Sequence, residues 1–168
     1  MDIGTIIALM AIVIGGLGTI ALENGFKLKN TDVSDLSSVE VKKLISLTLD
    51  VCAEREGVKS PKFQMTDLSK HAKLQNEHVL GMYLCQTKMI FIDVERFIYR
   101  GDNIGNMVST IVHEFQHYVD DLNGSNETNT VLDLLELRAD NAEEKYLKKT
   151  IRRLHKIIEG QPNILSLT

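Results

Sequence analysis

Residues 113–117 read His-Glu-Phe-Gln-His, and this pentapeptide constrains the fold of the chain more than any other feature. On an α-helix, residues i and i+4 lie one turn apart on the same face. His113 and His117 can therefore direct imidazole nitrogens at one metal ion, with Glu114 beside it. The HExxH spacing on a helix is typical of Zn²⁺ sites. The pattern predicts a helix at this position and a metal ion bound to it.

The sequence around the pentapeptide has the period of a buried or half-buried helix. Between Asn106 and Leu122 the apolar residues are Met107, Ile111, Val112, Phe115, Tyr118, Val119 and Leu122. Asn123-Gly124 then predicts the helix end, because both residues tolerate the left-handed conformation. The alternative is a helix that merely displays two surface histidines and a glutamate.

Two histidines do not complete a catalytic zinc site, which usually has three protein ligands and one open position. A third histidine six residues after the second is absent, since Asn123 occupies that position. Asp120 shares the helical face of His113 but lies ~10 Å further along the axis, at a rise of ~1.5 Å per residue. Asp120 is therefore expected either to form a hydrogen bond with a metal ligand or to face solvent.

The third ligand is predicted on a second helix, which follows a polar stretch at residues 123–130. Glu136 and Asp140 share a face of this helix, and Ala139 is small enough for close helix packing. Glu136 is the expected ligand, and Asp140 is expected to accept a hydrogen bond from a ligand histidine and to fix its orientation. Glu143, on the same face, is the reserve ligand. The alternative is that these acidic side chains are simply solvated.

HExxH followed by a helix with Glu-x-x-Ala-Asp resembles the gluzincin metallopeptidases. Over residues 61–146 the spacing is most similar to their small members, the ImmA/IrrE-like and SprT-like domains. The resemblance implies a zincin-like fold with a strand or hairpin before the active-site helix, and residues 81–93 occupy that place. ImmA/IrrE-like domains tend to carry asparagine where this chain has Asp140, a departure that favours the wider gluzincin pattern.

These residues predict a zinc-dependent metallopeptidase that hydrolyses peptide bonds with an activated water. Glu114 is placed to take the proton of that water and to deliver it to the leaving amine. No oxyanion donor is assigned; Tyr118, Tyr146 and His155 are the residues considered. The alternative function is a non-catalytic binding or regulatory module with the same fold. The intact Glu114 argues against that alternative, because a structural site needs no base.

The segment before the motif is expected to bind the substrate. Met89–Ile92 is an apolar run of strand-forming residues, with Met82–Cys85 as its hairpin partner and Gln86-Thr87 at the turn. An exposed sheet edge binds an extended peptide through backbone hydrogen bonds. The expected partner is therefore a protein or peptide substrate.

The N-terminus carries an uncharged, mostly apolar run from Ile3 to Leu22, long enough to cross a bilayer of ~30 Å as a helix. A single-pass transmembrane anchor or uncleaved signal at residues 1–24 is expected, with a cleaved signal or a buried helix as the alternatives. Lys27 and Lys29 follow the run, so the positive-inside rule places the C-terminal domain in the cytoplasm. The chain is thus expected to be attached to a membrane through its N-terminal helix.

The rest of the chain is expected to form one α+β domain, with helices around a short antiparallel sheet. We expect a linker at residues 25–36, the zincin-like domain at 37–160 and a tail at 161–168. Ser37 and Glu40 form a capping box that predicts a helix to about Glu56. The segment from Lys62 to Thr66 predicts a short strand.

Residues 143–159 predict an amphipathic helix with a basic face formed by Lys145, Lys148, Lys149, Arg152, Arg153 and Lys156. Such a helix can lie on anionic lipid or contact nucleic acid, but it is more often a packed helix with a solvated face. The net charge of −4 gives no general case for nucleic-acid binding, and none is expected. Cys52 and Cys85 lack the spacing of a disulfide or zinc motif and are expected to be buried.

Overall fold

The computed structural model describes residues 27–70, 79–125 and 132–160. The predicted membrane anchor at residues 1–24 and the predicted tail at 161–168 lie outside these residues. Within the described residues, no helix combines the length and the apolarity needed to cross a bilayer.

The described part of the chain is α+β, as predicted. Residues 27–30 are helical, and the helices that follow are α1 (Ser38–Glu56), α2 (Val94–Arg100), α3 (Ile104–Leu122) and α4 (Leu132–Gly160), with 3₁₀ turns at Val33–Asp35 and Leu68–Lys70. The predicted capping box begins α1, since the Ser37 hydroxyl accepts from the Glu40 amide and the Glu40 carboxylate accepts from the Ser37 amide. Gly57 ends this helix in the left-handed conformation.

A three-stranded sheet consists of β1 (Lys62–Met65), β2 (Gly81–Leu84) and β3 (Met89–Ile92), with β3 in the middle. Strands β2 and β3 form the predicted antiparallel hairpin, whereas β1 runs parallel to β3. The prediction of a purely antiparallel sheet was therefore wrong. Residues 66–88, which include β2, connect β1 to β3. A connection of this length allows β3 to run parallel to β1.

Strand β2 lies at the edge of the sheet. The Asp93 amide donates to the Leu80 carbonyl, so these two residues form a hydrogen-bonded pair at the end of the antiparallel ladder. Such pairs alternate with non-bonded pairs along the strand. The N–H and C=O groups of Gly81 and of Tyr83 therefore point away from β3 and form the outer edge of the sheet.

Helix α3 is the central element of the core and contacts α1, α4 and β2. Its apolar face is buried almost along its whole length, as the sequence period predicted. On α4, the small side chains of Ala139 and Ala142 are buried, which allows the close helix packing predicted for Ala139. The two helices that carry the predicted site are thus held directly against each other.

The segment at residues 27–36, expected to be part of a linker, packs on the domain. It supplies Leu28, Val33 and Leu36 to the hydrophobic core. The Val33 amide also donates to the Asp102 carbonyl. The packed domain therefore begins before Ser37.

The two cysteines differ in their environments. Cys52 is buried in α1, as expected, but Cys85 is exposed. The expectation of a buried Cys85 was wrong because β2 ends at Leu84, so that Cys85 begins the turn to β3.

Candidate metal centre

His113 and His117 lie one turn apart on α3, and their Nε2 atoms are 3.2 Å apart. Glu136 of α4 faces both rings. Its Oε2 lies 3.3 Å from Nε2 of His113, and its Oε1 lies 3.5 Å from Nε2 of His117. The structure thus brings the three predicted ligands together at one point between the two helices.

The three separations fit a tetrahedral Zn²⁺ ion. Ligand atoms that are ~2.0–2.2 Å from such an ion stand ~3.3–3.6 Å from one another. Two imidazole nitrogens and one carboxylate group, of which one oxygen lies nearer each ring, are also a ligand set that Zn²⁺ accepts, with a position left open for water. The geometry of this group could therefore hold the ion.

Asp140 lies on the far side of the His113 ring from this point. Its Oδ1 is 3.3 Å from Nδ1 of His113, in position to accept the Nδ1 proton. With that proton on Nδ1, the neutral ring presents a lone pair at Nε2. In this tautomer the lone pair faces the Glu136 carboxylate, and a metal cation between the two groups would be attracted to both.

Glu143, the reserve ligand, belongs to a different group of side chains. The carboxylates of Glu143 and Asp140 form a group with His113 that does not include His117. Its Oε1 accepts a hydrogen bond of 2.5 Å from the Ser109 hydroxyl. Ser109 was not among the residues singled out from the sequence, although it lies one helical turn before His113.

Asp120 is buried near the end of α3 and does not join the three converging side chains. Its Oδ1 accepts a hydrogen bond of 3.1 Å from the Gln116 amide and lies 3.7 Å from the guanidinium of Arg138. Asp120 therefore links α3 to α4 and does not face solvent.

Glu114 is buried, with only 8% of its surface exposed. Its Oε2 accepts a hydrogen bond of 2.7 Å from the Tyr83 amide on the outer edge of β2. Burial raises the pKa of Glu114 to about 8, opposed by the Tyr83 amide and reinforced by the negative charge of Glu136. A carboxyl group with a pKa in this range can both accept and donate a proton near neutral pH.

The neighbouring His117 has its pKa lowered, first by burial and then by the proximity of His113. Both effects disfavour the imidazolium form. The carboxylates of Glu136, Asp120 and Asp140 oppose this shift, so the net lowering of the pKa favours the neutral form, which is the form that binds a metal ion.

A cleft of about 720 Å³ opens over these residues. Its floor is α3, one wall is β2, and the other wall is the first part of α4. The polar side chains that line it include Thr110, His113, Glu114, His117, Glu136 and Glu143, and the apolar ones include Met82, Leu84, Leu132 and Leu135.

The three residues considered as oxyanion donors do not line this cleft. The Tyr118 hydroxyl donates to the Lys59 carbonyl over 2.9 Å. The Tyr146 ring lies 3.8 Å from the guanidinium of Arg55, and His155 pairs with a neighbouring glutamate of α4. They are occupied in packing and surface contacts.

Two residues of β2 that the sequence analysis did not assign to the site contact Glu114. One is Tyr83, through its backbone amide. The other is Gly81, where a Cβ atom would lie 2.7 Å from Cγ2 of Thr110 and 3.0 Å from Cγ of Glu114. A glycine within a strand often marks such a close approach, and this was the available sequence signal.

Comparisons of the chain with protein-family models, with curated proteins and with solved structures find no match. The similarity to gluzincins therefore rests on the motif residues themselves.

Proposed function

We propose that the chain is a zinc-dependent metallopeptidase, with His113, His117 and Glu136 as metal ligands and Glu114 as the general base. The convergence of three donor atoms beside a buried carboxyl group is the observation that carries this proposal. A structural zinc site normally has four protein ligands, whereas three protein ligands leave a position for water. The arrangement at this cleft favours catalysis for that reason.

Zn²⁺, when bound, supplies a Lewis acid that makes a water more acidic and polarises a carbonyl group. Asp140 holds the His113 ring in the orientation that presents Nε2 to the centre. Because Oε2 of Glu114 accepts the Tyr83 amide, Oε1 is the oxygen available to take a proton from the attacking water. Glu114 would then deliver that proton to the leaving amine.

The proposed substrate is a peptide in an extended conformation. The outer edge of β2 borders the cleft and presents the N–H of Gly81 and the carbonyl groups of Gly81 and Tyr83 toward it, while the Tyr83 amide is bound to Glu114. An extended peptide can pair with such an edge through its backbone, largely independently of its side chains. A non-catalytic module would keep the metal ligands but has no need of a buried carboxyl group beside them.

Zinc content and peptide hydrolysis of the purified full-length chain test this proposal. We expect one zinc per chain, measured by elemental analysis, and cleavage of a mixed peptide library, measured by mass spectrometry. Glu114→Gln should retain the zinc and lose cleavage by roughly 10²–10⁴-fold, the usual contribution of a general base. Glu144→Gln, at an exposed position of α4, is the matched control.

Either of two results would contradict the proposal. A wild-type chain that binds no zinc even after the metal is added back would remove the metal centre. Zinc binding with peptide cleavage unchanged in Glu114→Gln would remove Glu114 as the base. Zinc binding without any cleavage would favour the non-catalytic module.

A further inference from the structure

We propose that the outer edge of β2 positions Glu114, through the Tyr83 amide and through the absence of a side chain at Gly81. This inference rests on the proposed function, in which Glu114 is the base. It adds that a strand outside the HExxH helix determines where the base is held.

The Tyr83 amide has an unusual role for an edge-strand amide. Outward-pointing amides at a sheet edge normally face water or another strand. Here the amide donates over 2.7 Å to Oε2 of a side chain on a neighbouring helix. This hydrogen bond holds Oε2 of Glu114 in place and restricts the rotation of the carboxylate group that would move Oε1.

Gly81 provides the space that this contact requires. A side chain at this position would collide with Thr110 and with the stem of Glu114, at 2.7 Å and 3.0 Å from its first atom. A Cβ atom essentially never lies 2.7 Å from another atom, and a separation of 3.0 Å is tighter than in nine of ten real contacts. A side chain here would therefore displace Thr110 and would shift Glu114 or the strand by a few tenths of an ångström. The absence of a side chain at Gly81 therefore allows β2 to lie close enough to Glu114 for the hydrogen bond from the Tyr83 amide.

The side chain of Tyr83 holds the strand in register with α3. Its hydroxyl donates over 2.6 Å to Oδ2 of Asp121, and its ring packs edge-on against Tyr118 with centroids 5.9 Å apart. These contacts tie β2 to the C-terminal half of α3 and involve none of the metal ligands. The amide of Tyr83 is thus held in place before any metal binds.

Amide hydrogen exchange in the metal-free full-length chain tests the contact without any activity measurement. The Tyr83 amide should be protected in the wild type, and Glu114→Ala should accelerate its exchange by about tenfold or more. Glu114→Gln retains an acceptor oxygen and should keep most of the protection. Equal exchange rates in the wild type and in Glu114→Ala would overturn the inference.

A second experiment tests the role of Gly81 in hydrolysis. Thr110→Ser removes the Cγ2 atom that would collide with a new side chain at position 81. In the double variant Gly81→Ala/Thr110→Ser, the steric contact that remains is therefore the one between the new methyl group and Glu114. Relative to Thr110→Ser alone, the double variant should keep its zinc and its melting temperature. Its kcat should fall roughly 10–100-fold with little change in KM, because the base is misplaced.

The outcomes separate this inference from the proposed function. Equal kcat values in the double variant and in Thr110→Ser would overturn the positioning role of Gly81. If the wild type hydrolyses no peptide, the proposed function fails and the exchange experiment alone decides whether β2 holds Glu114. If the double variant unfolds, the Tyr83 exchange rates in Glu114→Ala and Glu114→Gln still decide the inference.

An independent observation concerns the basic face of α4, which consists of Lys145, Lys148, Lys149, Arg152, Arg153 and Lys156. We propose that this face binds an anionic lipid bilayer. Residues 145–156 contain these six cations and no acidic residue, and all six side chains are exposed. The whole chain has a net charge of −4, so the remainder carries −10.

Few contacts within the described residues neutralise this face. Arg153 lies 3.4 Å from the carboxylate of Glu54, and both side chains are largely exposed. Among the described residues, Lys148, Lys149, Arg152 and Lys156 have no ion pair. Clusters of four to eight cations on an amphipathic helix are typical of binding to anionic lipid head groups.

A bilayer fits this face better than nucleic acid does. The one aromatic ring within residues 145–156, that of Tyr146, already contacts Arg55 and Lys145 at 3.8 Å and 4.8 Å, which leaves little of it for a base to stack on. The partner that fits this face best is therefore a membrane surface that contains anionic lipid.

Lysine acetylation of the full-length chain tests this second proposal. The chain is mixed with vesicles of phosphatidylcholine, with or without one third phosphatidylserine. Lys148, Lys149 and Lys156 should react at least ~3-fold more slowly with the anionic vesicles, and high salt should abolish the difference. Lys42 and Lys43, exposed on α1, are internal controls that should not change.

Equal reaction of the basic face in both kinds of vesicle would overturn this proposal. The same would follow if duplex DNA, added without anionic lipid, protected the three lysines as strongly as phosphatidylserine does. Slower reaction of Lys42 and Lys43 as well would also overturn it, because the binding would not be specific to α4.

Discussion

Nδ1 of His113 lies 3.3 Å from Oδ1 of Asp140, on the side of the ring opposite to the converging ligand atoms. Helix α4 therefore supplies both the proposed ligand Glu136 and the group proposed to orient a second ligand, one helical turn apart. This relationship ties the geometry of the metal centre to the packing of α3 against α4.

Replacement of Asp140 should affect metal affinity according to whether an acceptor remains. Asp140→Ala should weaken zinc binding by about 10–100-fold, the usual effect of losing a group that orients a ligand histidine. Asp140→Asn keeps an oxygen acceptor and should stay within a few-fold of the wild type. Competition with a zinc chelator measures both affinities, and equal values for the two variants would argue against an orienting hydrogen bond.

The assignment of the third ligand predicts a contrast between two glutamates on one face of α4. Glu136→Gln should weaken zinc binding more than about 100-fold, because loss of a ligand exceeds the loss of a supporting group. Glu143→Gln should bind zinc almost normally, since the Ser109 hydroxyl can still pair with the amide. The reverse pattern would move the third ligand to Glu143.

The two thiols should differ strongly in their reaction with iodoacetamide. Cys52 is buried, and burial raises its pKa from 9.0 to about 11. At pH 8 this shift alone lowers the thiolate fraction of Cys52 by about 100-fold relative to an ordinary thiol. Cys85 is exposed and should react first, so Cys85→Ser should leave only a slow phase. In denaturant both thiols should react alike; a fast phase that persisted in Cys85→Ser would contradict the buried environment.

The turn between β2 and β3 contains a residue at which glycine should be more stable than alanine. Lys88 has φ of 51°, a left-handed conformation that glycine adopts more easily. Lys88→Gly should therefore exceed Lys88→Ala in free energy of unfolding by about 0.5–1 kcal/mol. Both variants lose the same ion pair with Asp121, so the comparison isolates the backbone. Urea denaturation measures the difference, and a less stable glycine variant would refute the argument.

The sequence predicted the parts of the site that depend on short-range spacing. His113 and His117 on one face follow from the helical period, and so do Glu136 and Asp140 on the next helix. Ala139 further indicated that the two helices pack closely. These relationships need only the geometry of a single helix, which a sequence carries directly.

The sequence did not predict relationships between elements that are distant along the chain. The parallel pairing of β1 with β3 depends on the path of the intervening segment, for which no local pattern exists. The contact of Gly81 and Tyr83 with Glu114 joins residues about thirty positions apart. The packing of residues 27–36 on the core depends in the same way on surfaces formed elsewhere in the chain.

The hydrogen bond from the Tyr83 amide to Glu114 also has a consequence for solubility. An edge strand with all its outward donors free can template a strand of another molecule, which is a common route to aggregation. Strand β2 is only four residues long, and one of its outward donors is already bound to a side chain of the same molecule. The residue that is proposed to serve as the base would thus also protect the sheet from self-association.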